Sequence, residues 1–184
     1  MKQKTTEFLK DEFNKLEENG HTWTIRRLAG PSQSHVTVDG KKCIMLASNN
    51  YLDLANHPNL KKAAAEAVEK YGAGAGSDWS IAGTMNVHQE LFDRIADFKN
   101  TEAAVTFQTG FAVNAGVIPQ LAGKGDILIS DELNHGSIID GVRLTKADRA
   151  IYAHSDMGEL EKVLKEASKK DYRRAIVITD GVFS

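Results

Sequence analysis

Phe8, Leu9, Phe13 and Leu16 recur at helical spacing between Thr5 and Asn19, and Gly20 follows as a stop, which predicts an amphipathic first helix. Val36 to Leu46, interrupted by Asp39-Gly40, predicts a hairpin with an Asp-Gly turn. Ala47 to Pro58, including Ser48-Asn49-Asn50-Tyr51-Leu52, reads as a polar loop with an aromatic anchor. Pro58 suits the first turn of an alanine-rich helix that runs to Tyr71. The glycine-rich Gly72–Ser77 follows a helix, not a strand. It therefore lacks the context of a dinucleotide fingerprint and reads as a flexible connection.

From His88 the pattern becomes a regular alternation. Leu91, Ile95 and Phe98 mark one face of a helix over His88–Phe98. Ala103–Phe107 predicts a strand that ends at Gln108-Thr109-Gly110-Phe111 and feeds a helix to Leu121. Strand Ile127–Ile129 feeds a helix from His135 to Lys146, whose apolar members are Ile138, Ile139, Val142 and Leu144. Strand Ala150–Tyr152 leads to a helix over Met157–Ser168, with Asp156 as N-cap and Glu159 three residues on, a capping-box arrangement. Ala175–Thr179 is a last β-rich run. Nearly all-apolar strands alternating with helices predict an α/β fold, a mainly parallel sheet between helices. Residues 1–46 form an N-terminal helix-and-hairpin segment in this reading, and 47–184 the first portion of a larger domain. The chain is expected to be truncated, because it stops at Asp180–Ser184, where a strand hands over to its loop.

Composition narrows the classes. Hydrophobic residues make up 41% and charged residues 26%, as in soluble globular proteins. Lys plus Arg total 23 against 25 Asp plus Glu, so no basic field points to nucleic acid. No apolar stretch is long enough to span a bilayer, and Met1–Glu7 lacks an apolar signal core, so a cytoplasmic protein is expected. Arg26 and Arg27 read as solvated surface charge. Cys43 is the single cysteine, which rules out an internal disulfide. His88, His135 and His154 lack metal-site spacing, so no metal is expected.

The candidate chemistry lies at the strand ends, where ligands of such sheets bind. Thr109-Gly110-Phe111 opens a helix, whose free amides and dipole favour a phosphate. Gly110 allows close backbone approach and Phe111 offers cover for an aromatic ring. His135 is placed to stack on a planar ligand or to shuttle a proton. Its plainer reading is an exposed histidine at a helix start. Asp180 and Ser184 supply an anion and a hydroxyl at the last strand end, and His154-Ser155-Asp156 reads as a cap.

Asn49-Asn50-Tyr51-Leu52, Ile81-Ala82-Gly83-Thr84 with His88-Gln89-Glu90-Leu91, Gly110-Phe111, Ser130–His135 and Thr179–Ser184 occur in that order. Together they resemble the α-oxoamine synthases, which use pyridoxal 5'-phosphate (PLP) to join an amino acid to an acyl-CoA with loss of carbon dioxide. The similarity runs along the whole chain. It implies the large domain of a fold-type-I PLP transferase, homodimeric when full length. The wording Arg143-Leu-Thr-Lys-Ala-Asp, with Tyr152 and His154-Ser-Asp-Met, is similar to the branch joining glycine to acetyl-CoA, glycine C-acetyltransferase. The branch joining alanine to a pimeloyl thioester in the biotin pathway, 8-amino-7-oxononanoate synthase, comes second, and a catalytically inactive ligand-binding fragment is the reading from another class.

The resemblance assigns the cofactor phosphate to Gly110 and Phe111, and ring stacking and substrate placement to His135. It assigns the ring hydroxyl to Ser184 and the amino-acid or product contact to Asn50. Asp53 and Asp78-Trp79 depart from the family, which commonly has glycine and arginine there. No lysine here matches the family's Schiff-base lysine, which the resemblance places beyond Ser184.

Overall fold

The structure is a computed structural model describing residues 6–184. The chain forms two compact units, Met1–Thr84 and Met85–Ser184. The position 46/47, where the sequence suggests a division, falls within the first unit.

In the first unit, α1 (Glu7–Glu18) carries the expected apolar stripe, with Phe8, Leu9, Phe13 and Leu16 all exposed. The predicted start at Thr5 lies outside the described residues. Strands β1 (Leu28–Ala29), β2 (His35–Val38) and β3 (Lys41–Ile44) form an antiparallel sheet in that order. The β2–β3 turn puts Asp39 at φ 48° and Gly40 at φ 76°. Positive φ at both central residues matches the twist of a hairpin, hence the Asp-Gly pair. The Asp39 carboxylate accepts from the Arg27 amide at 3.0 Å and from Arg26 Nη1 at 3.4 Å, so both arginines hold the turn. Helix α2 (Pro58–Tyr71) follows its sequence signals: His57 Nδ1 accepts from the Asn59 amide, Pro58 opens the helix, and Gly72 at φ 82° ends it. A single helical turn, Trp79–Gly83, wraps the Asp78 carbonyl, which accepts from the amides of Ile81, Ala82 and Gly83.

The second unit contains α3 (Asn86–Lys99), α4 (Gly110–Leu121), β4 (Asp126–Asp131), α5 (Gly136–Arg143), β5 (Asp148–Tyr152), α6 (Met157–Ser168) and β6 (Arg174–Ile178). Its sheet is parallel, in the order β5-β4-β6, and every residue of the central strand β4 is buried. Side chains of a strand alternate between faces. Leu128 accordingly joins Ile118, Ala122, Ile138, Val142 and Ala147 on the α4–α5 side. Ile127 and Ile129 join Tyr152 and Ala167 on the α6 side.

The first aspartate of β4, Asp126, is fully buried and clamped by Arg173 (Nε 2.9 Å, Nη2 2.6 Å), Arg174 (Nη2 3.1 Å) and the Gly123 amide (2.9 Å). Hydrogen bonds from Arg173 first, then Arg174 and Gly123, hold this carboxyl well below the usual carboxylate range.

Three expectations are corrected. Ala103–Phe107 is not a strand, because no described segment pairs with it. Phe107 packs instead toward Gly116 on α4. Helix α5 ends at Arg143 rather than Lys146: Leu144 is exposed, and the Thr145 hydroxyl donates to the Val142 carbonyl. In the turn before α6, Asp156 caps the Glu159 amide as expected, but the Glu159 carboxylate accepts from Ala153 rather than Asp156.

Helices α4 and α5 meet at Gly141, where an added Cβ would lie 2.6 Å from the Asn114 carbonyl oxygen and 2.8 Å from Ile118 Cδ1. Gly141→Ala is expected to destabilise the chain by about 1–3 kcal/mol through overpacking against backbone. Gly136→Ala, where a Cβ meets nothing within 4 Å, should leave the urea midpoint near its original value. Equal midpoints for the two variants would show that the helices part readily at this contact.

Candidate active site at the strand ends

Because β4, β5 and β6 are parallel, their carboxyl ends share one edge, and three polar turns follow there. Two buried side chains tie the turns together. The Asn134 Nδ2 donates to Ser130 Oγ and to the Ile178 carbonyl, both at 2.8 Å, and its Oδ1 accepts from the Asp180 amide at 2.8 Å. Asp180 Oδ2 in turn accepts from the His135 amide at 2.7 Å. The β4 and β6 turns are thus joined by a closed set of bonds through Asn134, which is 4% exposed.

Asp131, 3% exposed, does the same for the β4 and β5 turns. Its carboxylate accepts from the Leu133 amide (2.9 Å), the Ser155 amide (3.2 Å) and His154 Nδ1 (3.1 Å). Burial pushes the Asp131 carboxyl up, but the two amides and His154 together outweigh burial and hold it below its ordinary value. His154 is therefore the partner of Asp131, while the cap is Asp156 alone. The Phe183 ring packs edge-on against His154 at 4.4 Å between centroids, which seats the segment bearing Ser184.

His135 is the N-cap of α5, with Nδ1 accepting from the Ser137 amide at 3.1 Å. His135 as a whole is exposed at the same edge. On α4, Thr109 caps the Ala112 amide at 3.0 Å and its carbonyl accepts from Val113. The Gly110 and Phe111 amides precede the first of these bonds. A Cβ on Gly110 would meet nothing within 4 Å, and Phe111 is exposed. Asn114, one helical turn on, donates to Ser137 Oγ at 2.9 Å, which sets the start of α4 beside the start of α5. Gly110, Phe111, His135 and Ser184 all belong to the second unit.

Asn50 belongs to the first unit, where its carboxamide bonds Ser32 O, Asp53 Oδ1 and the Ala55 amide. Asp53, a departure from the family's glycine, sits at φ 52°, a left-handed conformation that glycine or aspartate tolerates. Asp131, Asn134, Ser137 and Asn114 were not legible as site residues. Asp131 and Asn134 were visible only as part of the polar Ser130–His135 motif, while Asn114 and Ser137, inside helices, gave no signal. Among the described residues, no group of His, Cys, Asp and Glu is placed to hold a metal, and no helix is long and apolar enough to cross a membrane.

The family profile described as aminotransferase class I and II matches residues 41–184. The 8-amino-7-oxononanoate synthase of Treponema denticola is 54% identical over 178 residues, 97% of this chain and 45% of that protein. The 8-amino-7-oxononanoate synthase 1 of Bacillus subtilis is 53% identical over 182 residues, 98% of this chain and 46% of that protein. Among solved structures, serine palmitoyltransferase from S. paucimobilis with bound PLP–myriocin is similar with a TM-score of 0.86. It is 31% identical, over 98% of this chain and 47% of that one. The chain spans somewhat less than half the length of these relatives.

These relatives overturn the glycine C-acetyltransferase expectation, since those above 50% identity carry the other branch's name. The reason is visible in the fold. The wording from Arg143 to Met157 lies on the exposed end of α5, the edge strand β5 and its turn. There it packs and bonds the scaffold, as His154 does with Asp131.

The lowered Asp131 carboxyl makes a pH prediction. A carboxyl depressed on folding stabilises the fold above its unfolded value, about 3.9, and that contribution is lost as pH falls through the lower folded value. Asp131→Asn should therefore lose less stability on acidification from about pH 6 to pH 3 than the parent chain. Parallel acid limbs in urea unfolding would show that Asp131 is not specially held.

Proposed function

We propose that this chain, which belongs to the aminotransferase class I and II family and within it to the α-oxoamine synthases, is the N-terminal part of an 8-amino-7-oxononanoate synthase. The reaction joins alanine to a pimeloyl thioester with loss of carbon dioxide. The observation that carries this reading is 54% identity to a protein of that name along 97% of the chain.

The residues at the starts of α4 and α5 and after β6 support a PLP site. The α4 start offers the amides of Gly110 and Phe111 and the positive end of a helix dipole to a phosphate, with open space above Gly110. His135 lies at the same edge with its backbone fixed by Asp180, in place to stack on the ring and orient the substrate. Ser184 is assigned the ring hydroxyl, and the packing of Phe183 on His154 seats its segment. Asn50 is assigned the amino-acid or product contact. When bound, PLP acts as the electron sink for charge developing on the amino-acid α-carbon. The protein's part is to place the reacting groups and move the α-proton, and the His135 imidazole is one group of this chain able to carry a proton there.

Protein carrying this chain at its natural length is expected to prefer alanine with pimeloyl-CoA over glycine with acetyl-CoA by more than about tenfold in kcat/KM. A preference for the glycine pair would reject the assignment. His135→Ala removes a helix cap worth about 1 kcal/mol. Its turnover should nevertheless fall far more than that stability loss explains, whereas unchanged turnover would leave His135 a cap only.

A further inference from the structure

We infer that Asn114 and Ser137 are positioning residues that hold the His135 imidazole in a single neutral tautomer, with the proton on Nε2. The role of this tautomer in the reaction rests on the reading that His135 faces the ligand. The tautomer itself does not.

Two contacts converge on the His135 Nδ1. The Ser137 amide donates to it at 3.1 Å, and an amide has no lone pair to offer in exchange, so Nδ1 must be the unprotonated nitrogen. Ser137 Oγ also lies 2.7 Å from Nδ1. A serine hydroxyl holds one proton and can accept as well as donate. Asn114 Nδ2 donates to Ser137 Oγ at 2.9 Å. Because Nδ1 already accepts from the Ser137 amide, the hydroxyl, which accepts from Asn114, directs its single proton at Nδ1. The chain Asn114 to Ser137 to His135 thus has one consistent sense of donation.

A histidine tautomer is set by the bond its other nitrogen makes. With Nδ1 engaged by both groups of Ser137, the neutral ring carries N–H at Nε2, its far side from the helix start. The ring therefore offers a hydrogen-bond donor at the strand-end edge, and α4 and α5 choose it. Ser137 is 5% exposed, so water does not compete at this junction. Asn114 lies on the helix whose first residues carry the proposed phosphate amides, which gives the two halves of the candidate site a shared support.

The test is the two-bond 1H–15N correlation of the histidine rings in the 15N-labelled 184-residue chain, at about pH 8.5, above the ordinary imidazole range. Loss of one resonance set in His135→Gln identifies the ring. The parent chain should show the Nε2–H pattern alone. Ser137→Ala, which removes one of the two donors to Nδ1, should shift the ratio about fivefold toward Nδ1–H, the worth of one net hydrogen bond. Asn114→Ala, at a helical position where alanine is favoured, should shift it in the same direction, and it decides the matter where Ser137→Ala fails to fold. An Nδ1–H or averaged pattern in the parent, or a ratio unmoved by the deciding variant, would overturn the inference. Because no ligand enters the measurement, that outcome would leave the cofactor reading untouched. Conversely, a His135 with no effect on turnover would leave the tautomer assignment standing.

Discussion

The central strand β4 is buried along its whole length, yet it begins and ends with an aspartate. A buried carboxylate is tolerated only when its charge is met by donors. At the amino end, Arg173 and Arg174 and one amide meet that demand for Asp126. At the carboxyl end, Asp131 takes two amides and a histidine. Besides the adjoining turns, partners arrive from distant segments in both cases, Arg173 and Arg174 for Asp126 and His154 and Ser155 for Asp131, so the strand's electrostatic needs dictate which segments lie against it.

That requirement separates a supporting end from the proposed ligand end. At the amino end, the side chains of Arg173 and Arg174 are spent on the Asp126 carboxylate. At the carboxyl end the buried bonds are made one layer below the surface, through Asp131 and Asn134. His135, Gly110, Phe111 and Ser184 are left exposed above them. Order beneath and access above is the arrangement a ligand site on a parallel sheet needs. The order is supplied by side chains that need never touch a ligand.

Much of the fold was legible because punctuation residues sit at its boundaries. Pro58 and Gly72 bracket α2, Thr109-Gly110 opens α4, and Asp156 opens α6, where the observed ends agree with the sequence pattern. Strand β1 has two residues, too short for alternation to register. Ala103–Phe107 has a strand's composition without a partner, and pairing is decided by chain far away. Distance explains the missed site residues too: Asn134 finds Ile178 and Asp180 across 44 and 46 positions, and Asp126 finds Arg173 across 47. The motif reading pointed to the carboxyl-end edge of the sheet, where His135 and Ser184 lie, but it took wording on α5 and β5 as a mark of substrate choice, which the relatives overturn.

The close approach of α5 to α4 at Gly141 has a geometric meaning beyond packing. Backbone lies against backbone there, and backbone cannot change rotamer to absorb a shift. The two helices are therefore gauged against each other by a residue that carries no functional group. One helix begins with the proposed phosphate amides and the other with His135. The interval between the proposed phosphate amides and the His135 ring is thus cut to length by hydrogen, the smallest side chain available.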